Sequence, residues 1–250
     1  MTVKAVARGL TAIVWLVFLS VSSVLAQAVD GGYRVFRPAG DGPHPAVIFL
    51  PGCVGFAPDF APKNAERQTE DLRGRGFVVV WADYLGRRNL TTCLGISKSE
   101  IGRDAVAAAS WLRAQPYIDA NRITAMGWTT GGGAVLQALA DHSANNLGFT
   151  RAIVYYPNCI ALGPWSNPIP VLVLQAASDN VAPNDRCNIA FKNPSLKGSL
   201  NVVIYPGAHH GFDIPDLPPK KDYGFGTMGY HPEAAAAARE EVLRFLEASK

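Results

Sequence analysis

A hydroxyl, a carboxylate and an imidazole follow one another along this chain in an order suited to nucleophilic catalysis. Gly127-Trp128-Thr129-Thr130-Gly131 lies between an apolar run and a glycine-led helical segment. That is the context in which a G-x-S-x-G pentapeptide makes a sharp strand-to-helix turn with its central oxygen exposed. Asp179 follows a later apolar run in LQAASDNVAP, and His210 follows another in YPGAHHGFD. In such a set the hydroxyl attacks, the imidazole takes its proton and the carboxylate orients the imidazole. Two backbone N–H groups would hold the developing oxyanion. The candidates are Thr130, at the start of the helix after the turn, and Cys53, in Gly52-Cys53-Val54-Gly55 after the first long apolar run. His210 is the preferred base over its neighbour His209. His44, His142 and His231 have no comparable setting and read as structural or solvated.

The elements that must position these residues are legible in the apolar pattern. Residues 45–51, 77–82, 122–127, 151–156, 169–175 and 200–205 are short runs rich in β-branched residues. Runs this continuous suit strands buried on both faces, hence a parallel sheet. Residues 33–38 add a candidate edge strand. Residues 61–74, 98–114, 131–141 and 233–248 carry helical spacing between them, and Pro116 ends the second. The alternation predicts an α/β fold, a mostly parallel central sheet with helices on both faces. Ligands in such sheets bind beyond the carboxyl ends of the strands, where Thr129, Asp179 and His210 all fall. Two loops, 157–168 and 207–232, lie at the same edge.

The N-terminus reads as an export signal. Lys4 and Arg8 precede a charge-free apolar run from Leu10 to Leu25, and Ala26-Gln27-Ala28 supplies small residues for cleavage after 26 or 28. A retained anchor is the alternative, but the run is short for a membrane span. Residues 27–250 then form one α/β domain. The formal net charge is +3, two of which are Lys4 and Arg8. No basic stripe remains, so nucleic acid is a poor candidate partner. Four cysteines, Cys53, Cys93, Cys159 and Cys187, suggest disulfides in an oxidising compartment, with three pairings open. No C-x-x-C is present, which argues against a zinc site.

These segments together resemble the dienelactone hydrolase family, in its exported bacterial branch. The resemblance runs from about residue 33 to the C-terminus. It rests on PAVIFLPGCVG, GFVVVWADYLGRR, DANRITAMGWTTGGG, YYPNC, PVLVLQAASDNVAPNDRC and YPGAHHGFD. It implies the α/β-hydrolase fold and a periplasmic or secreted location. It also implies hydrolysis of a small ester or lactone without metal or organic cofactor, through Thr129, His210 and Asp179. It further implies pairing of Cys53 with Cys93 and of Cys159 with Cys187. Two positions depart from the family. Pro51 stands where a histidine is often found, and Thr129 stands where the family has cysteine or serine. A β-branched residue resists the positive φ that an elbow usually demands. A binding protein on a hydrolase scaffold is therefore the competing reading. Trp128, Trp165, Tyr84, Tyr156 and Phe212 are candidates for an apolar pocket, and Arg87 and Arg88 for holding a substrate carboxylate; core packing and solvation are their plainer alternatives.

Overall fold

A computed structural model describes residues 27–57, 60–162, 167–192 and 199–248. The proposed signal segment, 1–26, and Trp165 lie outside them. Eight strands form the main sheet: β1 (Gln27–Asp30), β2 (Tyr33–Phe36), β3 (His44–Leu50), β4 (Val78–Trp81), β5 (Ile118–Trp128), β6 (Arg151–Tyr155), β7 (Val171–Ala176) and β8 (Leu200–Tyr205). Their spatial order is β1-β2-β4-β3-β5-β6-β7-β8. The first two pairings are antiparallel and the rest are parallel. This is the mostly parallel sheet expected, with one more edge strand than the sequence suggested.

Both faces are covered. Val47, Phe49, Val79 and Trp81 turn to one side and pack with Ala65 and Leu72 of helix α1 (Phe60–Gly74) and Ala238, Val242 and Leu246 of α5 (Pro232–Glu247). Ile48, Leu50, Val78 and Val80 turn to the other side. They pack with Ile101, Ala105 and Leu112 of α2 (Lys98–Arg113) and with Val135, Leu136 and Leu139 of α3 (Thr130–Asp141). The period-2 alternation of a strand sends neighbours to opposite faces, so both must be apolar. α2 begins at a capping box, in which Ser97 accepts from the Glu100 N–H and Glu100 accepts from the Ser97 N–H. Gly102 lets α2 and α3 approach closely, since a Cβ there would stand 2.9 Å from the Ala134 carbonyl.

Three differences from the sequence reading stand out. β5 starts four residues early, at Ile118, which pairs with His44 across an irregularity in the ladder. Helix α4 (Asn184–Phe191) follows the Asp179 loop and was not anticipated. Within the loop 207–232, β9 (Lys221–Asp222) and β10 (Thr227–Met228) form a small hairpin, and His210 makes a single bridge to Met228. None of the described helices is long and apolar enough to cross a membrane.

Candidate active site

The turn between β5 and α3 is closed by contacts that leave no room for side chains at its glycines. A Cβ on Gly127 would meet the Gly131 carbonyl carbon and oxygen at 2.6 Å, and one on Gly131 would meet the Leu50 and Pro51 carbonyl oxygens at 2.3 and 2.4 Å. Thr129, at the apex, has φ 46° and ψ −109°. For a β-branched residue that is a genuine outlier, costing on the order of 1–3 kcal/mol. Its backbone is pinned in compensation. The Thr129 N–H donates to the Tyr155 carbonyl at 3.0 Å, and its own carbonyl accepts from Gly133 (2.9 Å) and Asn158 (2.8 Å). The extra methyl points at the neighbouring loop: a Cβ on Gly52 would lie 2.4 Å from Thr129 Cγ2.

That loop is held just as firmly. The Gly52 carbonyl accepts from the Tyr84 hydroxyl at 2.7 Å and from the Gly55 N–H at 3.0 Å. In a trans peptide the next N–H points the opposite way, so the Cys53 N–H is turned away from these donors. Neither the Cys53 nor the Thr130 N–H has a partner among the described residues. Cys53 is bonded to Cys93, whose N–H donates to the Cys53 carbonyl at 2.7 Å. The second bridge joins Cys159 to Cys187 and ties the loop after β6 to α4.

Asp179 and His210 meet at the ends of β7 and β8. His210 Nδ1 lies 2.8 Å from Asp179 Oδ2, with 4% and 0% of the two side chains exposed. The other carboxylate oxygen accepts from the N–H groups of Val181 (2.9 Å) and Ala182 (2.8 Å). With Nδ1–H donating to the carboxylate, Nε2 is left as the proton acceptor. Tyr156 covers the ring, at 4.5 Å between centroids. His209 turns instead to the Ser178 carbonyl, at 3.1 Å. Among the described residues no hydrogen bond joins the Thr129 hydroxyl to His210; in ligand-free sites such bonds are often long and tighten once substrate is bound.

A second carboxylate, not anticipated from the sequence, lies behind this pair. Asp213 is buried, and four donors from distant parts of the chain converge on it. Tyr156 Oη donates to Oδ1 at 2.5 Å. Trp128 Nε1 (3.0 Å), Gln68 Nε2 (3.1 Å) and Asn64 Nδ2 (3.2 Å) donate to Oδ2. Burial pushes its carboxyl above the usual range, and the bonds from Tyr156, Trp128 and Asn64 pull it back only in part. Burial, then the Asp213 charge, push the Tyr156 hydroxyl well above its ordinary value.

The arginines proposed for a substrate carboxylate are engaged elsewhere. Arg88 binds Asp104 and the Tyr84 carbonyl, each at 2.7 Å, and Arg87 lies over the Tyr33 ring at 4.7 Å. Tyr84, Tyr156 and Phe212 are core residues, and Trp128 stacks on Tyr155 at 5.5 Å. A cavity of about 270 Å³ lies between α1 and α5, bordered by Asn64, Gln68, Asp213 and Arg239 but by neither Thr129 nor His210. A smaller one, about 200 Å³, is bordered by Val54, Phe56, Asp83 and Leu90, beside the Cys53 loop. Among the described residues no group of His, Cys, Asp and Glu is arranged to hold a metal ion.

The profile of the dienelactone hydrolase family matches residues 32–249. Among solved structures, a Klebsiella pneumoniae protein assigned to the dienelactone hydrolases is similar, with a TM-score of 0.67 at 20% identity over 86% of this chain and 92% of that one. A thermophilic esterase of Thermogutta terrifontis with propionate bound reaches 0.61 at 18% identity, over 86% and 88%. A curated sequence assigned as dipeptidyl-aminopeptidase B of Ajellomyces capsulatus is 28% identical over 115 residues, which are 44% of this chain and 12% of that relative's length. Those two structural likenesses speak to the fold.

Proposed function

The chain belongs to the dienelactone hydrolase family, and from that premise we propose that it cleaves a small carboxylic ester or lactone with Thr129 as nucleophile. Thr129 Oγ1 attacks the carbonyl carbon. His210 Nε2 takes the hydroxyl proton and returns it to the leaving alcohol. Asp179 orients the ring and stabilises the imidazolium. The Cys53 and Thr130 N–H groups hold the oxyanion, helped by the positive end of the α3 dipole. Water, activated by the same histidine, then hydrolyses the acyl-enzyme. The observation that carries this reading is the buried His210–Asp179 pair, 2.8 Å apart, at the same sheet edge as an elbow whose apex carries a hydroxyl at φ 46°. No step calls for a metal or an organic cofactor.

A second reading has its own observation. The Thr129 methyl packs toward Gly52, on the loop of the proposed oxyanion donor, and the hydroxyl makes no bond to His210. On that geometry the protein would be a weak or inactive binder of esters or lactones in the cell envelope. Assaying wild type, Thr129→Ala, Thr129→Ser and His210→Ala on p-nitrophenyl butyrate and a dienelactone separates the two. Activity lost in both alanine variants supports the threonine nucleophile, and activity unchanged in Thr129→Ala overturns it. A silent wild type with a gain in Thr129→Ser favours the binder.

Export to the periplasm is part of the proposal. Two disulfides suit an oxidising compartment. Cleavage after Ala26 is preferred over Ala28. Cutting after Ala28 would remove the pairings of Gln27 with Phe36 and of Ala28 with Val35.

A further inference from the structure

We infer that Asp213 is a positioning residue that sets nucleophile and base against each other, by seating Trp128 beside Thr129 and Tyr156 beneath His210. The inference rests on the assignment of Thr129, His210 and Asp179 above. Trp128 is the residue immediately before the elbow apex, and its indole N–H ends on Asp213 Oδ2. Tyr156 presents its ring to His210 and its hydroxyl to Asp213 Oδ1. A single carboxylate therefore fixes one neighbour of each reacting group. Asn64 and Gln68, one helical turn apart on α1, bind the same oxygen as Trp128 and hold the carboxylate against rotation.

The backbone around this hub supports the reading. Trp128 and Tyr155 are register partners on β5 and β6, and the residue after each has positive φ: 46° at Thr129 and 33° at Tyr156. Strain at two adjacent non-glycine positions persists only where the surroundings over-determine it. Asp213 is three residues beyond His210. That segment is held by the bond from the Gly229 N–H to the His210 carbonyl and by that from His231 to the Phe212 carbonyl. The carboxylate has no cationic partner among the described residues. Arg67 and Arg239, which border the adjoining cavity, pair with Asp216 and Asp71. A buried charge without a counter-ion costs stability that an apolar side chain of the same volume would not. Packing alone thus gives no reason for a carboxylate here. A common acceptor for four donors drawn from α1, the elbow and the loop after β6 does.

The test compares wild type, Asp213→Asn, Tyr156→Phe and Trp128→Phe, using the mature chain with both disulfides formed. The first readout is the downfield proton resonance of His210 Nδ1–H on Asp179, identified by its loss in His210→Ala. It should shift or broaden in Asp213→Asn and Tyr156→Phe, whose rings have lost their seat. The second is kinetics on p-nitrophenyl butyrate. There kcat should fall by about 10²-fold in Asp213→Asn, the scale of a misaligned attack, with KM within about twofold of wild type and a smaller loss of kcat in Trp128→Phe. A merely structural Asp213 would lower Tm and leave both the resonance and kcat unchanged below the transition, and that result overturns the inference. Should Asp213→Asn fail to fold, the two aromatic variants decide it by the same criteria. A wild type that hydrolyses no ester refutes the functional assignment instead, and the resonance still decides the role of Asp213.

Discussion

The ring of His210 is held by Asp179 at Nδ1 and flanked by Tyr156, whose hydroxyl is in turn bonded to Asp213. The surroundings of Thr129 differ in kind. Its backbone is tied by three hydrogen bonds but stands in a region that β-branched residues avoid, and its methyl fills the space above Gly52. On the assignment proposed above, the base half is pre-organised by satisfied polar groups, whereas the nucleophile half is shaped by steric fit and a disulfide. Pre-organised dipoles and charges cost nothing at the moment of reaction. A crowded hydroxyl must find its line of attack each time. The difference predicts that chemistry is limited by the threonine and that the base can support a faster nucleophile.

The largest effect should come from dismantling the base half. His210→Ala should lower kcat by up to about 10⁴-fold, the upper end of what a positioned general acid–base contributes. Steady-state rates on a short-chain p-nitrophenyl ester measure it, and a loss under tenfold would mean the ring is a bystander. Next is the brace on the nucleophile side. Replacing Cys53 and Cys93 together by serine should cost about 3–4 kcal/mol for a loop of this length, read by urea unfolding. The His210 resonance should be unmoved; if it moved, the two halves would not be independent. Thr129→Ser comes third, with a gain in kcat of up to about 10²-fold as the attack path clears. No gain would place the limit elsewhere. The smallest is Gly52→Ala. It should destabilise wild type by about 1–3 kcal/mol through overpacking, but be nearly neutral beside Thr129→Ser. There the nearest remaining atoms are the Thr129 Cβ and the Trp128 carbonyl oxygen, both at 3.9 Å. A thermal double-mutant cycle reads that coupling.

Much of the scaffold was legible because its physics is local. Six strands announce themselves as apolar runs; five lie inside the sheet, where both faces are covered and there is no polar side to hide, and the sixth, β8 at the edge, is apolar although Asn201 and Ile204 are exposed. The turn glycines at 127 and 131, with Asp179 and His210 after later strands, give the chain order of the proposed site. β1 was missed because Gln27-Ala28-Val29-Asp30 is short and is held only by its partner β2. α4 was missed because its eight residues carry polar side chains at four positions and bury Cys187 alone. The Asp213 hub has no signature in spacing. Its donors come from residues 64, 68, 128 and 156, and only the fold brings them together. Arg87 and Arg88 looked free in sequence because their partners, Tyr33 and Asp104, lie on other elements.

The contact between Gly52 and the Thr129 methyl also bears on how such a site can change over generations. Serine codons of the TCN type and threonine codons of the ACN type differ by one base. With glycine already at position 52, the exchange needs no second substitution to make room. With Thr129 as the nucleophile proposed above, the same scaffold would pass between a fast and a slow state in one mutational step. An alanine at 52 would close that route by making the threonine state clash.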